Sequence, residues 1–202
     1  MPSRQVAILE AAARLIARRG VRGLRMEELA AEAGVSAGLL YYHFTDRATL
    51  LQRTLEFISE RAGAYTECRI PDDSSSRSRL EHKLLLEVQD DAVVIENSAA
   101  WGELRASALF EPELREILRH STTEWNDEVA ELIDAIREEE GLAAVGGSAD
   151  AAARLTALVE GLSQRWLSQT IDVADAQRLL HAAIVLELGS GATAADGMPR
   201  PS

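Results

Sequence analysis

Tyr41, Tyr42, His43 and Arg47 place three hydrogen-bonding rings and a permanent cation within one short stretch. Phenol, imidazole and guanidinium groups are donors suited to phosphate oxygens and base edges, so their chemistry is recognition rather than bond making. A second set is more dispersed. Tyr65, Trp101, Phe110, Trp125 and Trp166 offer aromatic faces, and Glu87, Glu96, Glu103 and Glu124 lie near them in sequence. Rings beside carboxylates favour a positively charged small molecule through cation–π and charge attraction. The competing reading is that tryptophans at helical spacing fill a core. Tyr65, Trp101, Glu103, Phe110, Trp125 and Trp166 are the candidate ligand-binding residues.

Catalytic chemistry finds no support in the residue pattern. His43, His82, His120 and His181 are scattered and form no i, i+4 pair of the kind that binds zinc. Gly161-Leu162-Ser163-Gln164-Arg165 lacks the closing glycine of a nucleophile elbow and falls inside a helical pattern. No phosphate-cradling or dinucleotide glycine motif is present. Glu138-Glu139-Glu140 reads as a solvated helix end. No catalytic residue, metal ligand or cofactor is expected. The single cysteine, Cys68, excludes an intramolecular disulfide and fits a reducing cytoplasm, the expected location. No apolar run is long enough for a membrane span, and the N-terminus lacks a signal-peptide core, so no membrane partner is expected.

The elements that must position the first set are legible around it. Residues 25–50, RMEELAAEAGVSAGLLYYHFTDRATL, read as two short helices joined by a tight turn, with a third helix directly behind. Gly34 tolerates a positive φ and closes the first of these helices. Ala30 is small where the helices must approach, and Val35 plugs the gap. Ser36 is a good N-cap for the next helix, and Asp46 for the one after. Gly38 leaves the backbone open to close approach by a phosphate. Leu29, Val35, Leu40 and Phe44 form a small core. This is the spacing of a helix-turn-helix whose second helix enters the major groove.

Charge is divided along the chain. The net charge is −12, yet residues 1–63 carry nine arginines against seven acids, while the remainder holds twelve basic residues and twenty-six acids. A weakly basic head and a strongly acidic body leave only the head able to dock on phosphate.

Residues 4–57 resemble the DNA-binding domain of the TetR family of bacterial transcriptional repressors. The opening helix RQVAILEAAARLIARRG, the second helix and turn MEELAAEAGVS, and the recognition helix and following helix start AGLLYYHFTDRATLL agree with it in order and spacing. The resemblance implies that Tyr41 and His43 bind the DNA backbone, with Arg47 at the next helix start. It also implies that Tyr42, Ala37 and Leu39 face bases or thymine methyls. The chain departs from the family at Arg25, where many members carry a capping Ser or Thr, at Ala37 (Lys, Arg or Pro) and at Leu39 (Thr). Arg25 could itself reach a phosphate. Arg47 replaces a common lysine and keeps its charge. Arg25, Ser36, Ala37, Gly38, Leu39, Tyr41, Tyr42, His43 and Arg47 are the candidate DNA-binding residues.

Beyond the head, the pattern predicts a loop at 71–78 and helices from Arg79 to about Val88, Asp91 to Leu109, and Pro112 to about Gly141. A further helix is capped by Ser148 or Asp150, and a last one by Asp172. The whole is expected to be all-α, about nine helices: a three-helix head at residues 1–46, a connecting helix at 47–66, a ligand-binding and dimerisation bundle at 67–190 and a disordered tail at 191–202. Residues 150–188 intersperse small with large apolar side chains. They resemble the helix pair that forms a four-helix dimer interface in TetR proteins, and LTALVEGLSQRWLSQ is similar to the betaine-pathway repressor type. The implied function is a homodimeric, ligand-responsive repressor of a palindromic operator on double-stranded DNA. A helical protein-interaction module and an activator of the same fold are the alternatives.

Overall fold

Short polar side chains set where most of these helices begin. Ser3, Ser36, Ser75, Asp91 and Asp172 each accept a backbone N–H from the first turn they precede, contributing typically about 1 kcal/mol apiece. The computed structural model describes residues 3–67, 74–142 and 146–189. Among these the chain is all-α, with no strand. The helices are α1 (Arg4–Arg19), α2 (Met26–Glu32), α3 (Ala37–His43), α4 (Arg47–Glu67), α5 (Ser76–Leu85), α6 (Ala92–Ser107), α7 (Arg115–Glu140), α8 (Ser148–Leu167) and α9 (Val173–Leu188). Single 3-10 turns stand at Val21–Gly23 and Pro112–Leu114. Cys68 and the tail at 191–202 lie outside the described residues, as do residues 71–73 of the predicted loop at 71–78.

Three boundaries differ from the sequence reading. The helix expected from Arg79 starts at Ser76, because Ser75 serves as its cap and receives the Ser78 N–H at 3.2 Å. Serine runs suggest loops, but a serine is also the residue that opens a helix. Pro112 opens a 3-10 turn, and α7 follows at Arg115. Neither Ser148 nor Asp150 caps α8; Gly147 stands at that position without a side-chain bond. The Ser148 hydroxyl is engaged across the interhelical turn instead, donating to Asp134 and accepting from Arg137.

The apolar interior falls into two clusters. The first joins α1, α2, α3 and α4 to Ala100, Leu104 and Ala108 on and after α6, and to Leu114 and Leu118. The second joins α5, α7, α8 and α9 through Leu84, Val129, Ile133, Leu155, Leu180 and Ile184. Helices α4, α6 and α7 run between the two, and the space they leave is the cavity described below. None of the helices is long and apolar enough to cross a membrane among the described residues.

Candidate functional site

The helix-turn-helix forms as its spacing requires. Helix α2 ends over Ala33, Gly34 takes φ +65°, and the Val35 N–H returns to the Ala30 carbonyl at 2.9 Å. Ser36 Oγ accepts from the Leu39 N–H at 3.2 Å, which fixes the start of α3. Leu29, Leu40 and Phe44 are fully buried beneath it. Arg25 makes no side-chain cap, as its type predicts, and stays exposed. Asp46 accepts the Thr49 N–H at 2.7 Å at the head of α4, and this bond holds its carboxyl below the usual range.

What α3 offers outward is short and aromatic. Tyr41 is 53% and Tyr42 80% exposed, and no core claims either ring. The Tyr42 and His43 rings meet edge to face at 5.3 Å. Ser36, Ala37 and Gly38 are exposed, with Leu39 and His43 half-buried. A side chain at Gly38 would meet nothing nearer than Ser36 Oγ at 3.9 Å, so the backbone there is open to close approach. Few free cations flank this face. Arg14 and Arg18 pair with Glu32, and Arg19 with Glu28. Arg4, Arg22 and Arg25 form no ion pair among the described residues.

Arg47 stands apart from the other candidates. Its guanidinium donates to Glu111 at 3.0 Å and to the Val21 carbonyl at 2.9 Å. The cation assigned to DNA from sequence is thus held at the junction with the turn before α7. Gln52 reinforces that junction by donating to the Glu113 carbonyl at 3.2 Å.

A cavity of about 940 Å³ lies among α4, α5, α6, α7 and α8. Its walls carry carboxylates from three helices and a turn: Glu56 and Glu60 of α4, Glu87 in the turn after α5, four between Glu124 and Glu131 on α7, and Glu160 of α8. Among the described residues Lys83 and Arg105 are the permanently charged cations of its lining, each with an acid partner, Glu128 at 2.7 Å and Glu160 at 2.5 Å respectively. Trp101 and Trp125 line it. The Trp101 indole donates to Glu160 at 3.0 Å, and Arg105 lies over its ring at 5.5 Å.

Only part of the predicted ligand set meets here. Tyr65 reaches the wall indirectly, its hydroxyl donating to Glu87 at 2.6 Å. Glu103, Phe110 and Trp166 are not in the lining. Glu103 faces the head, where a side chain at Gly20 would come within 2.6 Å of its carboxylate. Phe110 is 71% exposed with Arg22 over its ring. Trp166 borders a separate depression beside Ile171 and Val173. Lys83, Arg105, Glu128 and Glu160 were not singled out from sequence. Lys83 and Glu87 did carry a signal, since both fall on the stripe Leu80, Lys83, Leu84, Glu87, Val88, at positions a buried helix face reserves for apolar residues.

Burial pushes the Glu87 carboxyl up to about 7, against the opposing pull of the Tyr65 hydroxyl and the Lys83 ammonium. An unfolded chain releases that proton near a glutamate's ordinary value, about 4.3. Between those two values the folded state binds more proton than the unfolded one, so this group's contribution to stability falls as pH rises through the window. Glu87→Gln, which stays neutral, is expected to gain in melting temperature over wild type as pH goes from 5 to 8. A difference that stays constant across those pH values would show that the carboxyl is ionised throughout.

On the far side of the body, α8 and α9 present Ala153, Ala157 and Gly161 beside Leu179, Ala182 and Leu186, all exposed. Nothing lies within 4 Å of where a Gly161 side chain would project. Leu186 is 86% exposed.

Residues 8–54 match the family model for bacterial regulatory proteins of the tetR family, and residues 76–189 match that for the C-terminal part of BetI-type transcriptional repressors. A crystal structure of a TetR-family transcriptional regulator from a Rhodococcus species superposes with a TM-score of 0.86 at 46% identity, covering 92% of this chain and 98% of that one. A transcriptional regulator from Saccharomonospora viridis, crystallised with choline, shares the fold at a TM-score of 0.78 and 24% identity, over 89% of this chain and 94% of that one. The regulator TtgR of Pseudomonas putida is 28% identical over 164 residues, which span 79% of this chain and 78% of TtgR. BetI of Burkholderia cenocepacia is 25% identical over 194 residues, spanning 93% and 95% of the two chains.

Proposed function

The chain belongs to the TetR family of DNA-binding transcriptional regulators, and on that premise we propose that it is a cytoplasmic homodimeric repressor released from a palindromic operator by a cationic small molecule. The observation that carries the DNA half of this reading is the open face of α3, with Tyr41, Tyr42 and Gly38 outward and Phe44 fixed beneath. Tyr41 and His43 bind phosphates, while Tyr42, Ala37 and Leu39 meet base edges or thymine methyls. Few cations stand on this face, so backbone shape supplies part of the affinity. Arg25 is the free arginine nearest α3 in sequence. The head is residues 1–46, α4 the connection, and the body the remainder to 190.

The effector half rests on the acid-rich cavity and its two indoles, and on the choline held by the regulator from Saccharomonospora viridis. A cation that prefers a body conformation with altered head spacing weakens operator binding, with a coupling of about 1–3 kcal/mol. The test is titration of a palindromic duplex from the protein's own promoter region, against a random duplex of equal length, across a range of salt and with or without choline. No preference over the random duplex at any salt would sink the DNA reading. Transcript levels in a deletion strain separate repression from activation.

Dimerisation through α8 and α9 puts the two heads in successive major grooves, about 34–36 Å apart. The exposed small residues of α8 let a second copy approach closely, and Leu186 supplies apolar area. Leu186→Glu is expected to weaken the dimer about a hundredfold or more, since each of the two protomers loses one buried leucine, and operator affinity with it. Sedimentation equilibrium of the variant reads this directly; an unchanged dimer would place the interface elsewhere.

A further inference from the structure

Lysine is almost never buried without a partner, and Lys83 is 7% exposed on the inner stripe of α5. Its neighbours on that stripe, Leu80 and Leu84, are core residues. Lys83 lines the cavity and its ammonium meets Glu128 of α7 at 2.7 Å, while Glu87 stands four residues on, in the turn that follows α5. Arg105, the other permanent cation, is built into the wall: it bonds Glu160 and Thr122 and stacks on Trp101. Lys83 has no second carboxylate within ion-pair distance and no ring against it among the described residues, on a long flexible stem. Nor does any ion pair among the described residues involve Glu60, Asp127 or Glu131, which also line the cavity. A field of this sign attracts a cation, and the one the chain itself supplies on a free stem is the Lys83 ammonium.

We propose that the Lys83 ammonium is a built-in occupant of the cavity's cation seat, and that an effector bearing an ammonium centre binds by taking the seat's carboxylates, Glu128 first, from Lys83. This rests on the cationic-effector reading above and adds to it a competition within the chain. Displacement also breaks one of the polar ties between α5 and α7, the one that faces the cavity, and α7 begins at the turn that Gln52 and Arg47 grip from α4. The seat is therefore connected to the head by the same helix whose ion pair the effector breaks.

Choline and putrescine, a quaternary ammonium and a primary diamine, are titrated separately into full-length wild type, Lys83→Met and Glu128→Gln, by calorimetry and tryptophan emission. The titrations are run at pH 8.5, where Glu87 is ionised. Removing the internal competitor is expected to tighten binding of at least one of the two cations about tenfold or more in Lys83→Met, and Glu128→Gln to weaken it. Binding to wild type that is no tighter in Lys83→Met overturns the competition and leaves the effector reading standing. No binding of either cation to any of the folded proteins overturns both. Should Lys83→Met fail to fold, the wild type alone decides: its Lys83 Nζ resonance must shift when the cation saturates, and a resonance that does not move refutes the displacement.

Discussion

Phe44→Ala is expected to cost about 3–5 kcal/mol of stability, the range for emptying a fully buried phenylalanine site, and to abolish operator binding under conditions where the body remains helical. The ring is completely buried at the end of α3, and its N–H closes the helix onto the Leu40 carbonyl at 2.9 Å. It lies in the same cluster as Leu29, Leu40, Leu50 and Leu51, so it supports α3 from below and α4 from the side. Interiors are packed to crystal density, so the surroundings of such a site relax only in part when the ring is removed. Urea unfolding followed by helical signal gives the loss, and Phe44→Leu, which refills most of the space, is the control expected to stay much nearer wild type. A Phe44→Ala protein within about 1 kcal/mol of wild type would mean that α3 is held chiefly by its caps, whose individual worth is of that size.

The joint replacement Tyr41→Ala and Tyr42→Ala should do the reverse, leaving stability within about 0.5 kcal/mol of wild type, as surface changes usually do, while operator affinity falls about a hundredfold or more. Both rings are largely exposed and neither belongs to the core, Tyr42 meeting the half-buried His43 ring edge to face. A hydrogen bond or apolar contact to a base edge is worth about 1–3 kcal/mol, and a dimer loses it twice. The two positions separate when changed singly. Loss of Tyr41 should weaken binding to operator and random duplex alike, as a phosphate contact does, whereas loss of Tyr42 should erode the difference between them. Fluorescence anisotropy on both duplexes measures this, and equal losses at both positions on both duplexes would remove Tyr42 as the reader of sequence.

Local chemistry was readable from the chain, and rotational phase was not. Ser36, Gly34, Asp46 and Asp172 act within four residues of themselves, so type and spacing were enough to locate the turn and several helix starts. The ligand candidates were grouped by nearness in sequence, which a helix does not respect. Trp101 and Glu103 are two positions apart and so point to nearly opposite sides of α6, one to the cavity and one to the head. Arg105, four positions from Trp101, shares its face and lies over its ring. Phe110 follows α6 in the turn and escapes the bundle altogether. Arg47 was read by analogy of position, and its long side chain finds Glu111 across the junction, a contact sixty-four residues away that no local pattern encodes. Lys83 and Glu87 were visible as charges on an apolar stripe, and polar residues at core positions mark functional sites more often than errors.

The mixed composition of the first apolar cluster bears on how such a protein can be cut and recombined. Ile8, Leu15 and Leu55 share their interior with Ala100 and Leu104, and Leu114 and Leu118 close it. The segment that touches DNA is consequently not a cassette. A hybrid regulator joined after α4 would set α1 against a foreign α6, with the apolar contacts and the Arg47–Glu111 pair lost together. Exchange of sensing and DNA-binding halves between relatives needs more than one junction, because α5 precedes α6 in the chain: α6 and the opening of α7 have to travel with the head, and α5, the rest of α7, α8 and α9 are the portion that can be traded.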